Sequence, residues 1–181
     1  MYFDFLGAGL FRELAEEFGA AVFDCGLVSF RELESRVSTN PHSLLHVQSL
    51  GFRLLQDAQP IRARKCFETA MALDSVDVAS RIGMACALEA ANRCQTAIEH
   101  LQVVLNENPK SCMTLVAMGI CLERLGDLKE ARRYFEHAVR ENPGLTRTRK
   151  KLDNLLTTQE AQFPGSVTDF AKIGVAGAHT G

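Results

Sequence analysis

Met118-Gly119-Ile120-Cys121-Leu122-Glu123-Arg124-Leu125-Gly126-Asp127-Leu128-Lys129-Glu130-Ala131-Arg132-Arg133-Tyr134-Phe135-Glu136-His137-Ala138, followed by Asn142-Pro143, is the stretch that decides the fold. Apolar residues recur at helical spacing on both sides of Gly126-Asp127. The stretch therefore reads as two helices joined by a tight turn, the second stopped by proline. The pattern recurs 34 residues upstream and again 34 residues before that. The matching columns are Leu50, Met84, Met118; Gly51, Ala85, Gly119; and Leu54, Leu88, Leu122. On the second helix they are Ala63, Ala97, Ala131; Phe67, Leu101, Phe135; and Ala70, Val104, Ala138. Pro109 and Pro143 each close a unit in an Asn-Pro pair, with Ser75 at the corresponding place in the first.

The residue types suit two packed helices. Gly51, Gly119 and the alanines let helices approach closely, and Phe67 and Phe135 fill the space between units. Pro60 stands near the start of a second helix, where its missing N–H costs nothing. The spacing predicts helix pairs at 43–57 and 60–73, 78–90 and 94–107, and 112–125 and 128–141. A fixed period of this length marks a stacked helical array. These columns resemble the tetratricopeptide repeat (TPR) family, whose unit has small and large apolar residues on a first helix, Ala, aromatic and Ala on a second, then Pro. The resemblance implies an all-α TPR solenoid, a right-handed superhelix of antiparallel helix pairs, with units 44–77, 78–111 and 112–145. A departure is the large aromatic usual early in the first helix, replaced here by Val47, Arg81 and Leu115.

Outside the repeats the pattern is weaker. A capping helix is expected at 146–160, with Leu145, Leu152, Leu155 and Leu156 on its apolar side, since terminal repeats need shielding from water. Residues 1–42 form either a helical extension or a degenerate fourth unit. Phe3, Leu6, Leu10, Leu14 and Phe18 share one helical face, and a second helix begins at Ser29 with Glu32 completing a capping box. Glu17, however, stands where the repeats carry Gly or Ala. Residues 161–181, rich in glycine and small residues, are expected to be a flexible tail.

Composition narrows the function classes. Net charge is -2 with 46% hydrophobic and 23% charged residues, which argues against a nucleic-acid binder. The basic cluster Arg147, Arg149, Lys150 and Lys151 reads as a solvated face. No apolar run approaches a membrane span, no secretory signal is legible, and a cytoplasmic location is expected. The six cysteines form no Cys-x-x-Cys pair, so no zinc or redox motif is expected. His42 and His46 have no acidic or cysteine ligand nearby, and no nucleophile–base constellation or phosphate loop is legible. The sequence is therefore not read as an enzyme, and neither a metal nor another cofactor is expected.

The resemblance implies that the first helices line a concave groove. In the first unit its expected contact residues are Leu45, Gln48, Ser49, Phe52 and Leu55. The second and third give Ile82, Cys86 and Glu89, then Met113, Val116, Ile120 and Glu123. Such an apolar lining exceeds what a monomer usually exposes. It is covered either by an apolar partner peptide or helix or by the chain's own N-terminal helix or tail. TPR co-chaperones that grip Hsp70 or Hsp90 C-termini use a charged clamp of Lys, Asn, Asn, Lys and Arg. The matching positions here are Gln48, Phe52, Gly83, Met113 and Ala117, so no such clamp is expected. The reading is a protein-binding adaptor or chaperone. The alternatives are a structural subunit that self-associates as a homodimer or docks in a larger assembly, and a module resembling type III secretion TPR chaperones.

Overall fold

The computed structural model describes residues 9–19 and 28–162. Within them lie α1 (Leu10–Phe18), α2 (Phe30–Thr39), α3 (Leu44–Gln56), α4 (Pro60–Leu73), α5 (Val78–Ala90), α6 (Cys94–Glu107), α7 (Cys112–Arg124), α8 (Leu128–Glu141) and α9 (Thr146–Gln162). The described residues contain helices and no strand. From α2 onward each helix packs on the next, and α3, α5 and α7 stand side by side. The expected tail at 161–181 lies almost wholly outside the described residues, as do Phe3 and Leu6.

Local chemistry sets the boundaries. Ser29, Asp77 and Asp127 each accept a hydrogen bond from the backbone N–H three residues on, at 3.3, 2.6 and 3.2 Å, capping α2, α5 and α8. Pro60 opens α4. The turn inside each helix pair needs one residue of left-handed backbone, and it recurs at Ala58 (φ 54°), Asn92 (φ 58°) and Gly126 (φ 82°). Gly126 takes that conformation without strain and asparagine tolerates it, which leaves Ala58 as the strained member. Ala58 carries a left-handed penalty of roughly 1–2 kcal/mol, so Ala58→Gly is expected to raise stability by about 1 kcal/mol, partly offset by unfolded-chain entropy. A denaturation midpoint that falls instead would contradict this.

The core runs along the helix interfaces. Phe67, Phe135, Leu54, Leu101, Leu115 and Met118 are fully buried. A Cβ on Gly51 would lie 2.8 Å from the Phe67 ring, and one on Gly119 would lie 2.5 Å from the Phe135 ring. Gly83, one of the clamp positions expected to face the groove, instead closes on the same Cε1–Cζ edge of Phe67, which leaves no room for a Cβ. Phe67 is thus gripped by glycines of two successive first helices. Arg81, the irregular residue of the middle unit, donates from Nη2 to the Ser75 carbonyl at 2.5 Å, so its charge serves the loop between units.

Candidate protein-interaction groove

The N-terminal helices part company. While α2 packs on α3, α1 lies across the shared face of the array, against α5, α7 and α9. The intramolecular cover is therefore the arrangement adopted. Helix α1 is strongly amphipathic: Leu10, Phe11, Leu14 and Ala15 are buried, at i, i+1, i+4 and i+5. Phe11 stacks on Phe52 with ring centroids 6.3 Å apart, and Phe52 meets Phe67 edge-on at 5.0 Å. Burying each large member of this stripe is worth roughly 1.5–3 kcal/mol. A nine-residue helix is marginal alone in water, so α1 owes its order to the surface beneath it.

Polar contacts fix both ends of α1. Its N-cap is Gly9, with no side-chain cap of its own. The cap comes from α5: Glu89 Oε2 accepts the Leu10 N–H at 2.9 Å, and Glu89 Oε1 pairs with Arg124 Nη1 at 2.7 Å. Glu89 is 2% exposed, so a buried carboxylate faces the positive end of the α1 dipole. At the other end, Glu17 Oε2 accepts the Thr148 N–H at 2.8 Å and its hydroxyl at 3.3 Å, capping the first turn of α9. The acid that breaks the small-residue column therefore acts as a helix cap.

Basic side chains line one flank. Arg147 meets Glu16 at 2.6 Å, and Lys151 meets Glu13 at 3.0 Å and Glu123 at 2.8 Å. Burial disfavours the charged Lys151 amine, but the Glu123 and Glu13 carboxylates outweigh that and raise its pKa above the usual lysine value. The sequence reading of this basic cluster as a solvated face is corrected at Lys151, which is half-buried between Glu13 and Glu123, whereas Arg147 stays exposed while it pairs with Glu16. Its missed signal was the match between basic residues four apart on α9 and acids three apart on α1. Exposed pairs of this kind contribute at most about 1 kcal/mol each, so they select more than they stabilise.

The expected groove residues fall into three sets. Phe52, Leu55, Ile82, Cys86, Val116 and Ile120 are buried in the core that includes the α1 stripe. Glu89 and Glu123 make the ion pairs above. Met113 is partly buried, Ser49 half-buried, and Leu45 on α3 stands 68% exposed. Gln48 turns into the junction between units and donates to Asp77 Oδ2 at 2.5 Å and Ser80 Oγ at 3.0 Å. Burial pushes the Cys86 thiol well above its usual range, with Cys121 and Glu89 adding to the shift. It is a packed, protonated thiol, not a nucleophile. A cavity of about 160 Å³ remains between Phe11, Leu55, Pro60, Cys86 and Glu89. Among the described residues no cluster of three metal-ligating side chains occurs, and no helix is long and apolar enough to cross a membrane.

Comparison with known proteins agrees with this geometry. Two tetratricopeptide-repeat family models match, at residues 81–111 and 113–145. A crystal structure of MamA superposes with a TM-score of 0.65 at 16% identity, covering 81% of this chain and 84% of that one. The first TPR domain of human RPAP3 gives 0.63 at 16% identity, covering 70% and 100%. The second TPR domain of human RPAP3, solved with an Hsp70 peptide, gives 0.58 at 19% identity over 64% and 98%. At these identities the likeness is one of fold. No curated protein sequence matches the chain. The repeat columns, the family matches and the stacked helix pairs agree: the chain carries tetratricopeptide repeats, matched at residues 81–111 and 113–145, in an all-α solenoid.

Proposed function

We propose that this protein holds another polypeptide, as an adaptor or chaperone, by accepting a partner's amphipathic helix on the face now covered by α1. One observation supports this most directly: the face already carries a short amphipathic helix that contributes no repeat unit. Departure of α1 would uncover Phe52, Leu55, Ile82, Cys86, Glu89, Val116, Ile120 and Glu123, with Leu45, Gln48, Ser49 and Met113 along the same first helices. Helix α1 is tethered by the eleven residues 19–29, so its effective concentration is on the order of millimolar. A free partner competes only if it makes more contacts than α1 or if α1 is weakened.

The charged-clamp activity is not expected. Phe52 and Ala117 are buried, Gly83 faces Phe67, and Gln48 is engaged by Asp77. No ammonium or guanidinium comes from the five clamp positions to hold a terminal carboxylate.

Leu14→Asp tests the reading. Leu14 is 0% exposed, and a buried carboxylate there is costly enough that α1 should undock instead. The full-length variant should keep the helicity of the repeats and gain binding to amphipathic helical peptides in a titration. Acidic Hsp70 or Hsp90 C-terminal peptides should still show no micromolar binding. A folded variant that binds no helical peptide would reject the holding role. A variant that instead forms a peptide-indifferent dimer in light scattering would favour the self-associating subunit.

A further inference from the structure

Resting on the holding role above, we infer that the groove selects one kind of helix. It is acidic and amphipathic, with glycine at its N-cap, bound in the α1 direction, and α1 is its resident competitor. The recognition begins at Glu89. A carboxylate on α5, buried and braced by Arg124, accepts the first free N–H of whatever helix lies in the groove. That fixes polarity, because a reversed helix would bring carbonyl oxygens and the negative dipole end onto the same carboxylate. It also fixes the residue before the helix. Gly9 has φ 137°, and a Cβ there would lie 2.6 Å from Glu89 Oε2. Any other residue would be strained in the backbone and pressed against the carboxylate that must accept the next N–H.

The flank supplies the second requirement. Arg124 lies 4.0 Å from Glu13, and Lys151 and Arg147 meet Glu13 and Glu16. Acids three and six residues into the helix are matched by three cations from two different helices. A basic amphipathic helix would set like charges against all three and would leave Glu123 to hold Lys151 alone. The apolar stripe supplies most of the binding energy, while glycine, polarity and acid placement decide which helix receives it.

The test uses an acetylated peptide of residues Gly9 to Gly19, labelled at its C-terminus, titrated by fluorescence anisotropy into the full-length chain and its Leu14→Asp variant. Binding to the variant should be at least tenfold tighter than to the unmodified chain, because the tethered competitor has gone. A peptide carrying Glu13→Lys, Glu16→Lys and Glu17→Lys should lose at least tenfold on the variant. A Gly9→Val peptide should lose a similar factor. Adding Arg147→Glu and Lys151→Glu to the variant should recover binding of the lysine peptide. If Leu14→Asp fails to fold by circular dichroism, Gly9→Val in the full chain weakens α1 at its N-cap while keeping the apolar stripe, and serves instead. Equal binding of the acidic and lysine peptides overturns the selectivity but leaves the holding role standing. Equal binding to released and unmodified chains overturns the competitor role. No binding of any amphipathic helix to a folded, released chain overturns both.

Discussion

Phe67→Ala is expected to remove about 3–5 kcal/mol of stability, the upper range for truncating a buried aromatic. The ring is completely buried, lies edge-on to Phe52, and has both Gly51 and Gly83 against its Cε1–Cζ edge. Glycines have no side chain to move into the vacated space, so the cavity persists and its cost stays high. The loss also spreads, because Phe67 joins α3 and α4 to α5, and the Phe11 contact of α1 reaches it through Phe52. In a stacked array a broken junction can melt on its own. The first unit should therefore unfold before α5 to α9, and the urea transition should broaden or split. For a chain of this length the shift in melting temperature should be about 2–4 °C per kcal/mol. A loss below about 1.5 kcal/mol would mean that the neighbours collapse after all.

The second large effect concerns the buried ion pair at the head of α1. Arg124→Ala should cost about 3 kcal/mol, more than Glu89→Gln, although the two break the same contact. The asymmetry follows from burial. The Glu89 side chain is 1% exposed and that of Arg124 is 39% exposed. Removing the arginine strands a charge away from water, whereas neutralising the glutamate leaves an arginine that solvent and Glu13 still satisfy. The double variant should consequently be more stable than Arg124→Ala alone. Denaturant titrations of the two single variants and the double variant give this cycle directly. If Arg124→Ala cost no more than Glu89→Gln, the idea that Glu89 is held as a charge would fail. Amide exchange across residues 10–18 reads the cap separately, since the Leu10 N–H is accepted by the Glu89 carboxylate itself, which Arg124→Ala keeps and Glu89→Gln removes.

The repeats were legible from the sequence, and the reason can be seen in particular residues. The expected spans 60–73, 78–90, 94–107 and 128–141 coincide with α4, α5, α6 and α8. Contacts in such an array are made with the neighbouring helix, so a small residue or an aromatic recurs wherever the same junction recurs. Half of the Ser29–Glu32 capping box was equally local and equally readable: Ser29 Oγ accepts the Glu32 N–H, while the Glu32 carboxylate pairs with Arg36. Gly83 was misread because it lies outside the repeated glycine column, and its partner Phe67 belongs to the preceding unit. Arg81 looked irregular because its contact is to a loop carbonyl, which no column records.

The sequence by itself determined an all-helical array, its period, and an amphipathic segment around Leu10 and Leu14 in need of a surface. Only the tertiary structure decided that the surface is the face shared by α5, α7 and α9. The contacts that settle this join residues 79 positions apart, Leu10 to Glu89, and 131 apart, Glu17 to Thr148. They occur once and have no period to betray them. A stripe of apolar residues states that a helix must be covered, not by what. The choice follows from geometry, because one carboxylate caps α1, α1 in turn caps α9, and both conditions are met in a single position of the helix.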